Sequence, residues 1–101
     1  MTEDIQHNEV DFEAEKIRVS NGLANLFGKE IVEQAELIDI ADINISDQMI
    51  SCISDGVVQL KKQKGKTEAQ RSLIERLSQG EKLVLCMWIM EMDLLDKIQV
   101  R

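Results

Sequence analysis

The chain contains no proline, and its only aromatic residues are Phe12, Phe27 and Trp88. Strands favour aromatic and β-branched side chains, whereas helices draw on Leu, Glu and Lys and exclude proline from their interiors. The composition therefore points to helices, with abundant isoleucine the one opposing signal. Histidine occurs once, as His7, in an N-terminal stretch (MTEDIQHN) that lacks periodic apolar residues. No Ser–His or Cys–His pair with a rigid partner can be built from it. The five glycines, at 22, 28, 56, 65 and 80, stand alone, so no phosphate-cradling loop is present. Cys52 and Cys86 have no zinc spacing and sit in apolar contexts, which reads as two reduced, buried thiols. The longest unbroken apolar run, Leu83–Met90, is far short of the roughly 20 residues that span a bilayer. No signal peptide is evident at the acidic N-terminus, and the expected location is the cytoplasm.

What the chain does have is negative charge: 19 acids against 12 bases, net −7. That balance disfavours a nucleic-acid binder that relies on overall charge. Its ordinary consequence is solubility; its functional alternative is an acidic surface that meets a basic partner. At 101 residues the chain is long enough for one domain. The expected organisation is a tail over residues 1–8 and a single helical domain over 9–101. Carboxylates are plentiful, but no pair is marked as buried. The acids also lack the alternating ligands, central glycine and closing glutamate of a calcium loop. The expectation is no catalytic group, no metal and no cofactor.

Periodicity predicts four or five helices forming an all-α bundle with a largely buried C-terminal helix. The first starts near Asn8 or Asp11 and ends at Phe27, with Gly28 as its C-cap. Its face is drawn from Val10, Ala14, Ile17, Leu23, Ala24, Leu26 and Phe27. Gly22 marks either a weak point or close packing against a neighbour. A second helix covers about Glu30–Ile40, with an apolar stripe through Ile31, Ala35, Ile38, Ala41 and Ile45; a short strand at Leu37–Ile45 is the alternative. A third covers about Asp47–Lys64, capped by Ser46 or Asp47. Two capping-box patterns, Thr67 with Gln70 and Ser78 with Glu81, open the fourth and fifth helices. Arg71 and Glu75 are spaced to pair on the fourth. The fifth is apolar all round over Leu83–Met90 and amphipathic beyond.

Three constellations stand out. Acids recur every third residue at Glu30, Glu33, Glu36, Asp39 and Asp42, and no base occurs from Glu30 to Leu60. Bases then gather at Lys61, Lys62, Lys64, Lys66, Arg71 and Arg76. The two blocks either pair inside the fold or serve contacts with other molecules, including head-to-tail self-association. The basic stretch is also a candidate nucleic-acid contact, although no aromatic interleaves it for base stacking. A helix-turn-helix over Thr67–Ile98 is rejected, because its second helix opens with LVLCMWIM, which belongs in a core rather than a groove of DNA. Methionine-rich residues around Met87, Trp88, Met90 and Met92 are core or a self-association surface. Together these predict an acidic protein-binding module: an adaptor, small chaperone or inhibitor, self-associating as a homodimer. The alternative is a nucleic-acid-associated regulator using Lys61–Arg76.

Overall fold

Helix boundaries fall where orphaned backbone groups find partners. In the computed structural model, which describes residues 2–99 and their side chains from Phe12 onward, the elements are six α-helices and one 3₁₀ turn. They are α1 (Thr2–Phe27), α2 (Lys29–Leu37), the 3₁₀ turn (Ile40–Asp42), α3 (Asp47–Lys62), α4 (Thr67–Glu75), α5 (Gln79–Glu91) and α6 (Leu95–Ile98). Among the described residues there is no strand. The first helix starts at Thr2, ahead of the expected Asn8 or Asp11, so its backbone takes in residues assigned from sequence to a tail.

Gly28 joins α1 to α2 at φ 95°, a conformation that favours glycine; its N–H donates to the Ala24 carbonyl at 2.9 Å. The α2 helix stops at Leu37, short of the expected Ile40. The Asp39 carboxylate accepts the Ala41 N–H at 3.0 Å and starts the 3₁₀ turn instead. This local bond breaks the apolar stripe: Ile31, Val32 and Ala35 are buried, whereas Ile38 and Ala41 are exposed. Ser46 caps α3 by accepting the Met49 N–H. Ser78 and Glu81 form the capping box read from the sequence, each side chain accepting the other's backbone N–H. Thr67 and Gln70 do not form one: Lys66 is the N-cap of α4 and no side chain caps it. Gln70 is instead wholly buried, and its Nε2 donates to the Leu60 carbonyl at 3.0 Å and the Ile98 carbonyl at 2.9 Å. It ties the ends of α3 and α6 together.

The predicted continuous C-terminal helix is broken in two. Asp93 takes φ 52°, the Leu94 N–H bonds the Ile89 carbonyl at 3.0 Å and the Asp93 N–H bonds Met90. This is a Schellman ending with aspartate where glycine is usual. The turn swings α6 onto α1, where Gly22 makes room for it. A Cβ there would meet Gln99 Oε1 at 2.7 Å and Leu95 Cδ2 at 2.8 Å. Gln99 Nε2 donates to the Gly22 carbonyl, and Arg18 bridges Glu15 on α1 and Asp96 on α6.

The core draws on every helix: Leu23, Leu26 and Phe27; Ile31, Val32 and Ala35; Ile53, Val57 and Leu60; Ile74; Val84–Met87 and Ile89; Leu95 and Ile98. Helix α5 packs against α1, α2, α3 and the 3₁₀ turn. The molecule measures 48 × 32 × 21 Å, with a radius of gyration of 14.7 Å, against about 13 Å expected for a compact chain of this length.

Candidate functional site

A helix of 26 residues is about 39 Å long at 1.5 Å per residue, longer than the core it packs on. Its inward face is a stripe through Phe12, Lys16, Val19, Leu23, Leu26 and Phe27, which fall within an arc of about 100° at 100° per residue. The stripe is buried from Leu23 onward, half-buried at Val19 and 69% exposed at Phe12. Phe12 thus occupies a core-facing position where no core is left to face. Ile17 and Ala14, assigned to the buried face from sequence, are exposed, Ile17 at 58%. The reason is angular: six residues separate Ile17 from Leu23, a turn of about 240°.

Beneath the overhang lies an apolar groove of about 210 Å³, lined by Phe12, Lys16, Val19 and Met90, with Glu15, Ser20 and Glu36 at its edges. Three helices build it: α1 supplies Phe12 and Val19, α5 supplies Met90, and α2 supplies Glu36. Glu36 is held in place by the Ser20 hydroxyl, which donates to its Oε1 at 2.8 Å. Burial, and secondarily the charge of Glu36, push the Cys86 thiol up to about 12. Glu15 is taken up by Arg18 and Lys16 lines the same groove, so the apolar floor can hold an apolar side chain while Glu36 supplies the negative charge beside it.

The acid ladder divides on folding. Glu30, Glu33 and Glu36 are exposed on α2, Glu33 3.8 Å from Lys29 on the same helix; Asp39 caps the 3₁₀ turn; Asp42 is exposed within it. The basic stretch divides further. Lys61, Lys62, Lys64 and Lys66 are exposed at the end of α3 and in the following loop. Arg71 does not pair with Glu75; it reaches α1, donating from Nε to the Asn25 carbonyl at 2.8 Å and also to Asn25 Oδ1. Arg76 instead lines a second cleft of about 190 Å³ between α3 and α4, with Asp55, Gln59, Leu73 and Leu77. Among the described residues, no ion pair joins an acid of 30–42 to a base of 61–76. The methionine group also divides. Met87 is 2% exposed and belongs to the core; Trp88 and Met90 are half-buried; Met92 is exposed.

Of the remaining nucleophiles, the Cys52 thiol donates to Glu81 Oε2 at 2.8 Å. That hydrogen bond, with partial burial, holds the thiol above its ordinary range and lowers the Glu81 carboxyl; the Ser78 backbone N–H lowers Glu81 further. A raised thiol is a poor nucleophile. Both cysteines are free. Among the described residues no group of three or more His, Cys, Asp or Glu is placed to hold a metal ion, and no helix is long and apolar enough to cross a membrane.

Phe12, Val19 and Glu36 as a unit were not marked by sequence reasoning, which scored Glu36 only as part of the ladder. The available signal was the spacing 12, 19, 23, 26, which keeps one helical face. No protein-family model, curated protein or solved structure matches this chain.

Proposed function

We propose that the protein is a binding module for other proteins, acting as an adaptor, small chaperone or inhibitor rather than an enzyme, and that its contact surface is the groove under the α1 overhang. One observation carries this reading: Phe12 continues the core stripe of α1 past the last residue that can cover it. A large apolar side chain held on a core-facing position beside an open apolar groove is a place for a partner's side chain. Glu36 at its edge, with Glu30 and Glu33 also exposed on α2, suits a basic amphipathic partner. Of the methionine group, Met90 and Met92 remain as contact residues. The bundle organised around α5 serves as the rigid support, and the two free thiols fit a reducing compartment such as the cytoplasm.

Affinity purification of the tagged chain from its native cell extract, beside a Phe12→Glu variant, tests the reading. The expected result is a stoichiometric protein partner that the variant loses. Nucleic acid recovered equally by both, without protein, would replace it with the basic-end reading based on Lys61, Lys62, Lys64 and Lys66. Arg71 and Arg76 would add little to that reading, since the fold directs them elsewhere.

A further inference from the structure

The outer face of α3 has the chemistry that the groove lacks. At 100° per residue, Ile50, Ser54, Val58 and Lys61 lie within an arc of about 80°. Ile50 is 40% exposed and Val58 48%, and the face runs on into Lys62, Lys64 and Lys66. Those four lysines make no ion pair among the described residues. The adjoining face of α3, through Ile53, Val57 and Leu60, is buried where the helix packs on α4, α5 and α6, and this exposed flank is left over beside it.

The overhang is its electrical complement. Among the described residues, Glu13 on α1 and Glu30, Glu33 and Glu36 on α2 are exposed acids on its side, with Glu33 near Lys29 and Glu15 held by Arg18. Two such grooves laid face to face in a symmetric dimer would set Glu13 and the acids of α2 against their own copies, which disfavours that pairing. A contact between unlike surfaces has no such cost.

The geometry points to a head-to-tail contact in which the α1 groove of one copy receives the outer face of α3 from a second copy. This rests on the groove being a protein-binding surface and names its occupant. Val58 or Ile50 fills the space between Phe12, Val19 and Met90, while Lys61, Lys62, Lys64 and Lys66 face Glu13 and the acids of α2. A heterologous contact leaves one groove and one lysine end free at the two ends of the assembly, so it extends into chains or closes into rings. One helix face in one groove lies at the small end of the interface range, below about 1,200 Å², so association is weak and salt-dependent.

Sedimentation equilibrium of the full chain over a concentration series tests this, at about 0.01 M salt, where the Debye length is about 30 Å, and at about 1 M, where it is about 3 Å. The mass is expected to climb with concentration above the 11.5 kDa of one chain at low salt and to return towards it at high salt. Two variants, Phe12→Glu and the set Lys61, Lys62, Lys64 and Lys66 all to Gln, should each stay monomeric alone. Mixed, they should form a two-chain complex and stop there, because each retains the surface the other has lost. Thermal unfolding followed by Trp88 fluorescence establishes that both variants are folded. A single-chain mass for the unmodified protein under all conditions overturns the proposal, as does association that survives in the lysine variant. Either result leaves intact a partner captured from extract through Phe12, so the two readings fail separately.

Discussion

Helix α5 and the α1 stripe through Phe12, Val19 and Leu23 both present apolar side chains to the protein, yet only α5 is enclosed along its length. Around α5 the neighbours α1, α2, α3 and the 3₁₀ turn cover Val84–Met87 and Ile89. Along α1 the same inward stripe is covered at Leu23 and bare at Phe12. Periodicity tells a residue which way to point; whether anything meets it depends on how far the other elements reach.

Mutation should separate the two regions sharply. Ile89→Ala, at a wholly buried site in α5, is expected to cost about 3–4 kcal/mol in urea unfolding followed by Trp88 fluorescence. Phe12→Ala should change stability by less than about 0.5 kcal/mol while abolishing partner binding. A large stability loss at Phe12 would mean that the overhang is packed after all. Gln70→Leu keeps the volume but strands the Leu60 and Ile98 carbonyls, for an expected loss of about 2–3 kcal/mol.

Cys86 gives the enclosed region a pH signature. Its thiol titrates near 9 when unfolded and about 12 when folded, so the unfolded state releases its proton first. Stability is therefore full below pH 9 and falls as pH rises from there towards about 12, by about 1.4 kcal/mol per pH unit. Cys86→Ala should lower stability at pH 7 and flatten that alkaline slope. The smallest contrast lies between the two capping motifs: Ser78→Ala should cost about 1 kcal/mol and Thr67→Ala close to nothing.

That last pair shows what was legible in the sequence. The all-helical class followed from composition and period. Ser46, Gly28 and the Ser78–Glu81 box followed from cap chemistry, which is local. Thr67–Gln70 carries the same local signal, but two carbonyls from distant helix ends claim Gln70, and no short window reveals that competition. The break at Asp93 was hidden because aspartate enters the left-handed region less readily than glycine. For the candidate site, the acid and base blocks were visible as sequence. Their separation was not, because Arg71 turns to Asn25 on a helix 46 positions away in the chain. Phe12 was missed because Ile17, larger in hydropathy than its position deserves, drew the apolar face to the wrong side of α1.

Native-state hydrogen exchange, resolved by residue in dilute and in concentrated low-salt solution, tests the central contrast most directly. Amides of Leu85–Ile89 should exchange only through global unfolding at both concentrations. Those of residues 12–17 should exchange far faster in the dilute sample and slow on concentration, as a second copy covers the groove. Equal, strong protection of both segments in the dilute monomer would contradict the account, since it would show that the overhang needs no partner to be enclosed.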